Sequence, residues 1–295
     1  VVSRTQGRGD VAGADPVRHE VLPAQFDAGL DGLGLLRSWP GVDPIELRAR
    51  FDELRRDAEG AESRTIEVLD VEAGYVGWST TYDTRVNQLL LAEQPAVTEI
   101  LAGVPPGLAL DAACGTGRLT RLLLGLGHRV IGVDASQAML ARARRDLPAA
   151  EFRAGSITAL PVTPATCDLV TCGLALTHLA SLGKAIAELA RALRPGGRLV
   201  VSDIHPVSVA LGGHAFFRRE NGSRCVIRNH LHWHAEYLDA FAAGGLRVRR
   251  CLEPRYTLEI VGSFLREGSS PAIRHLEGLP FALVWDLELP AEVRP

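Results

Sequence analysis

Aromatic residues make up only 5% of the 295-residue chain, there is a single methionine, Met139, and the five cysteines form no CxxC pair. An odd number of cysteines set mostly in apolar runs points to free, buried thiols, and so to a reducing compartment, the cytoplasm by expectation. Charge of one sign is lacking too. Lys and Arg (32) nearly balance Asp and Glu (35) without a run of five or six like charges. Neither a nucleic-acid backbone nor an anionic membrane would find an electrostatic footprint here. No apolar run is long enough to span a bilayer, and the opening VVSRTQGRGDVAGADP lacks the apolar core of a secretory signal. What these absences leave is a well-buried chain whose expected partner is a small molecule, with no nucleic acid and no membrane.

Residues 1–40 mix Gly, Asp and Arg without a sustained period and are expected to form a mobile arm. Residues 41–107 read as a helical cap. Asp43-Pro44 starts one helix, which Gly60 closes, and a second covers about Gln88–Leu101. From Leu108 short apolar runs alternate with helical segments (LALDAA, RVIGVD, EFRAG, CDLVTCGLAL, RLVVSDI), the pattern of βαβ units and a doubly wound parallel sheet with helices on both faces. Two stretches interrupt it. Residues 205–234 contain an Asn221-Gly222 turn and read as an inserted hairpin, and 254–279 read as an irregular insertion before a last strand, PFALVWDLEL. A single domain over 108–295 with two insertions is expected.

The segment LALDAACGTGRLT carries most of the chemistry. A buried strand enters a glycine turn that opens a helix, which lets the backbone approach a ligand at the carboxyl edge of the sheet. A dinucleotide fingerprint needs a third glycine and a loop hospitable to pyrophosphate; here that glycine is missing and Asp111 precedes the loop, where a carboxylate repels phosphate and attracts a cation. Asp134 ends the next strand, placed to accept both hydroxyls of a ribose. A nucleoside with a positive group and no phosphates fits best.

These residues resemble the class I S-adenosylmethionine-dependent methyltransferases, small-molecule type. LDAACGTG is similar to that family's first motif, VIGVDASQAML to its second-strand motif and LRPGGRLVVSDI to the segment entering its fifth strand. The resemblance implies a Rossmann-like, mostly parallel seven-stranded sheet whose last strand is antiparallel. It also implies S-adenosyl-L-methionine as cofactor, leaving as S-adenosyl-L-homocysteine, and methyl transfer to a small organic acceptor by direct displacement. By position, Asp111 and the loop residues Ala113, Cys114, Gly115 and Gly117 would lie against the methionine part. Asp134 would hold the ribose, Ala135 and Met139 would pack on the adenine, and Ser156 with Ile157 would contact it. Ala113 stands where the family usually has glycine, and Ser156 where it often has Asp. Similar aromatic segments in the family fold over the cofactor, which makes Tyr75 and Tyr82 candidate contacts, the ring shielding the sulfonium.

On the acceptor side, His178 follows the fourth strand and His205 ends the fifth, both at the functional edge, and either imidazole could take a proton. Gly173, with Cys172 and Leu174, could approach the methionyl part. His230, His232 and His234 alternate in NHLHWH and would share a face on an extended strand. Without Cys partners or suitable carboxylate spacing, metal binding is not expected there. Two rival readings stay open: a cofactor-binding regulator or cyclase-like protein without methyl transfer, and an NAD-dependent oxidoreductase.

Overall fold

The computed structural model describes residues 17–21, 23–38, 41, 43–60, 62–78, 87–219 and 221–291. Tyr82 and residues 1–16 lie outside them. The chain begins with β1 (Val17–Val21), α1 (Pro23–Ser38), α2 (Pro44–Gly60), β2 (Arg64–Leu69), α3 (Val71–Trp78) and α4 (Gln88–Ala102). The alternating region follows as β3 (Leu108–Ala112), α5 (Arg118–Gly125), β4 (Arg129–Asp134), α6 (Gln137–Asp146), β5 (Glu151–Ala154), β6 (Cys167–Gly173), α7 (Gly183–Ala192) and β7 (Leu193–Ile204). A short α8 (Pro206–Ala210) leads to β8 (Ala215–Arg218), β9 (Arg224–Ile227), α9 (His234–Ala243), β10 (Arg247–Leu252), α10 (Leu258–Arg266) and β11 (Ala282–Glu288).

Seven strands form the central sheet in the order β10-β11-β7-β6-β3-β4-β5. The five strands from β7 to β5 run parallel, whereas β11 is antiparallel to both β7 and β10. The expected doubly wound sheet with an antiparallel last strand is therefore the observed one. Its central strands are apolar on both sides: Leu110 and Val170 pack with α7 and α9 residues on one face, while Ala109 and Leu169 pack with Val97, Leu101 and Leu123 on the other. Helices on both faces explain why these strands read as continuous apolar runs.

The ends of the chain differ from expectation. Residues 17–38 are a strand and a helix, although their local periodicity is weak. Leu30 is buried with Tyr256, Ile260, Ile273 and Phe281, so tertiary burial holds α1 against the 254–279 segment, which itself contains α10 and a 3-10 turn at Pro271–Leu276. The stretch 41–107 is not wholly helical either. β2 pairs antiparallel with β1 and parallel with β9, so the inserted β8–β9 hairpin and the N-terminal strands make one four-stranded sheet, β1-β2-β9-β8. This small sheet and α3 share a cluster of Leu69, Phe217, Cys225 and Ile227 with Tyr75 and Trp78. NHLHWH is not a strand: β9 ends at Ile227, and the Trp233 N–H, bonded to the Glu236 carboxylate at 2.8 Å, starts α9 at His234. No helix among the described residues is long and apolar enough to cross a membrane.

Candidate ligand site at the carboxyl edge of the sheet

Between β3 and α5 the chain reverses through Ala113, Gly115 and Gly117, with φ of 56°, 55° and 92°. Left-handed backbone costs a residue with a Cβ about 1–2 kcal/mol, so Ala113 is strained where the resemblance expects glycine. A Cβ built on Gly115 would meet nothing within 4 Å, so the loop opens onto space wide enough for a ligand to reach its backbone.

Across that space Asp134 ends β4. Its carboxylate accepts the N–H groups of Gly115 and Ser136, each at 2.8 Å, and burial raises its pKa against these backbone bonds. Ala135 follows it directly. The Asp134 carbonyl also accepts the Gly155 N–H at 3.0 Å, which draws Ser156 and Ile157 alongside. Ile157 is half-buried, whereas Ser156 is exposed and shares a hydrogen bond with the Thr158 hydroxyl at 2.9 Å. Met139 is fully buried on α6, one turn from its capping residue Ser136.

Asp111, expected against the ligand, is turned inward. It is 1% exposed and accepts hydroxyls from Thr120 on α5 at 2.7 Å and from Thr171 at 3.0 Å, the residue opposite it on β6. Burial pushes its pKa up to about 6, with the Thr120 and Thr171 bonds pulling the other way. Asp111 braces strand to helix beneath the loop. Cys114 is buried as well, and burial raises its thiol pKa so far that it stays protonated.

On the β6 side Gly173 is followed by Leu174, a second strained residue (φ 56°), whose N–H bonds the Ser202 carbonyl at 2.7 Å. The chain then turns through Leu176–His178. The Tyr75 hydroxyl on α3 and His178 Nε2 share a hydrogen bond of 2.9 Å, which ties the outer layer to the sheet edge. Burial pulls the His178 pKa down to about 4, against a smaller upward pull from the Arg228 backbone, so the ring is neutral at pH 7. Above it the 228–233 segment is anchored by His230 N–H to the Thr177 carbonyl at 2.6 Å and His232 Nε2 to the Leu179 carbonyl at 2.7 Å.

His205 has a structural task. Its Nδ1 accepts the Val207 N–H at 3.1 Å as cap of α8, and its Nε2 lies 3.0 Å from Glu253 Oε1, the same oxygen that His234 Nε2 approaches at 3.0 Å. With Nδ1 accepting, the proton of the neutral ring sits on Nε2 and is donated to Glu253. This leaves His205 no lone pair for deprotonating an acceptor. The trio His205, His234 and Glu253 has the composition of a metal site, its ligand atoms within 4.8 Å of one another. Metal ligation through Nε2 would need the proton on Nδ1 and would break the helix cap. The geometry is that of one carboxylate bridging two imidazoles, and the His205 bond holds Glu253 below its usual pKa.

Sequence reasoning missed one ionic cluster at this edge. Glu93 on α4 is fully buried, and Arg118, the first residue of α5, donates to it from Nη1 at 2.8 Å and from Nη2 at 3.1 Å. Arg118 Nη1 also donates to Gln94, and the Ser202 hydroxyl donates to Glu93. The signal was in the spacing. Glu93 precedes the buried Val97 and Ile100 by four and seven residues, so it lies on the apolar stripe of the helix, where a carboxylate must be paired.

Known proteins share the central part of this chain. Residues 110–201 match the family model described as a methyltransferase domain. A 2-phytyl-1,4-naphtoquinone methyltransferase of Thermosynechococcus vestitus is 41% identical over 110 residues, 35% of this chain and 49% of that protein. A malonyl-[acyl-carrier protein] O-methyltransferase of Enterobacter lignolyticus is 41% identical over 95 residues, 32% of this chain and 38% of that protein. The chain thus spans half or less of the length of these curated relatives. Among solved structures, an S-adenosylmethionine-dependent methyltransferase from Mesorhizobium loti superposes with a TM-score of 0.54 at 22% identity, covering 67% of this chain and 97% of that one. A putative methyltransferase of Haloferax volcanii, in complex with the Trm112 activator, gives 0.59 at 21%, covering 77% and 100%. The resemblance drawn from the motifs is borne out, and the fold is the Rossmann-like one it implied.

Proposed function

We propose that the chain is an S-adenosyl-L-methionine-dependent methyltransferase acting on a small organic acceptor. The observation that carries this reading is the Asp134–Gly115 bond. A loop that cradles pyrophosphate offers its N–H groups to the phosphates; here the Gly115 N–H is taken by a carboxylate, which sets negative charge where phosphate would lie. The site disfavours a dinucleotide and suits a nucleoside carrying positive charge. Each Asp134 oxygen accepts one N–H and retains a lone pair for a ribose hydroxyl. Met139, Ala135, Ile157 and Ser156 would form the adenine side, and Ala113–Gly117 with Gly173 the methionyl side.

When bound, the cofactor supplies a methyl group already activated by its sulfonium. The protein's work is therefore to align the acceptor and exclude water. The α3 aromatics and the 228–233 segment roof the edge where the two reactants would meet. Tyr75 and His178 give that roof a polar contact for the acceptor, while His205 keeps the turn after β7 in place. Buried thiols at Cys114, Cys167, Cys172 and Cys225 support a reducing compartment, for which we propose the cytoplasm.

Calorimetry with S-adenosyl-L-homocysteine and with NAD tests the proposal. Binding of the first and not the second is expected, and Asp134→Ala should weaken it at least tenfold, since two charge-assisted hydrogen bonds are lost. Binding of NAD in preference, or an Asp134→Ala variant with unchanged affinity, would refute the reading.

A further inference from the structure

The Arg118–Glu93 cluster has a feature that a purely structural ion pair does not require. Glu93 grips the guanidinium end-on, through Nη1 and Nη2, and Gln94 takes the second hydrogen of Nη1. Five N–H groups are available on an arginine. Among the described residues these bonds use three, and the two left over, Nε–H and the outer Nη2–H, lie side by side along one edge of the plane. Two parallel donors on one edge match a carboxylate bidentately.

Arg118 borders the proposed ligand site on one side and a groove between α4 and α5, lined by Gln94, Arg121 and Leu122, on the other. Arg118 directly follows Gly117, its Nη2 would be 3.1 Å from a Cβ built on Gly173, and its charge is felt at Asp111. The side chain is 24% exposed, whereas Glu93 beneath it is fully buried. A buried counter-ion fixes the plane of the guanidinium without covering its outer edge.

We propose that Arg118, oriented by Glu93, binds the α-carboxylate of the methyl donor through its Nε–H and Nη2–H edge. This rests on the methyl-donor reading above. It gives the methionyl carboxylate a planar two-donor partner, and it makes Glu93 a positioning residue. Ser202, bonded to Glu93, locks the carboxylate to β7 and so holds the clamp at a fixed height above the sheet edge.

Binding of two ligands to the full chain separates the alternatives. S-adenosyl-L-homocysteine carries the carboxylate; 5′-methylthioadenosine keeps the nucleoside and the thioether but lacks the amino-acid part. Arg118→Lys keeps a cation opposite Glu93 and removes the planar fork. The expected result is a loss of about tenfold or more in affinity for S-adenosyl-L-homocysteine, with affinity for 5′-methylthioadenosine within about twofold of wild type. Equal losses for both ligands would show that Arg118 only supports the loop, and no loss for the first would remove Arg118 from the site; either outcome overturns the assignment alone. A wild-type chain that binds neither ligand overturns the methyl-donor reading itself. Should Arg118→Lys fail to fold, the pair Glu93→Gln with Arg118→Met removes both charges together and is read by the same ratio.

Discussion

Asp111 shows how one side chain can be located from the sequence while its partners are not. The strand-to-turn pattern located it at the head of the glycine loop, but only the pairing of β3 with β6 brings Thr171 opposite it and turns the carboxylate inward. A fully buried carboxylate with two hydroxyl donors is undersupplied, and burial lifts its pKa from 3.8 to about 6. Because the folded state holds this proton more tightly than the unfolded chain, the contribution of Asp111 to stability is greatest below pH 4 and falls as pH rises towards 6. Asp111→Asn should therefore gain on wild type by about 3 kcal/mol between pH 4 and pH 7 and gain no more above that. Urea denaturation at pH 4, 6 and 8 measures it. An advantage that does not change with pH would mean that the Asp111 proton is not linked to folding.

At the scale of elements, the central sheet was legible because its strands are buried on both faces and read as apolar runs that alternate with helical segments, one of them opened by the capping residue Ser136. The outer sheet was not legible. β1, β2, β8 and β9 are four to six residues long and come from segments about 150 residues apart, and no local period announces that β2 will pair with β9. What holds this layer is a stack of rings: Trp78 lies 5.2 Å from Phe217 and 5.9 Å from Tyr75 between ring centroids. Trp78→Ala removes both stacks from a half-buried site and should cost about 2 kcal/mol, confined to this layer. Hydrogen exchange should accelerate in β2, β8 and β9 and stay unchanged in β3, β4 and β6. Uniform acceleration across both sheets would show that the outer layer does not open independently.

Considered as a whole, the molecule joins its two layers at the ligand edge, and this sets how far a bound ligand can act. The motifs located Gly115 and Asp134 at the carboxyl edge of the sheet, and strand direction located Gly173 there, since those residues follow one another along a regular βαβ pattern. The upper half of the site depends on contacts between distant segments, the Tyr75 side chain to His178 and the His230 backbone to Thr177, and on Arg118 and Glu93, which only tertiary packing brings together. A ligand seated between the halves touches both. S-adenosyl-L-homocysteine at a hundred times its dissociation constant should stabilise the folded chain by about 2.7 kcal/mol, through mass action alone. The distribution of that effect distinguishes a roofed site from an open one. If α3 and the 228–233 segment cover the cofactor edge, exchange protection should appear there as well as in the 113–117 loop and at Asp134. Protection confined to the loop and Asp134 would place the ligand on an open shelf, and the exclusion of water would then have to come from the acceptor itself.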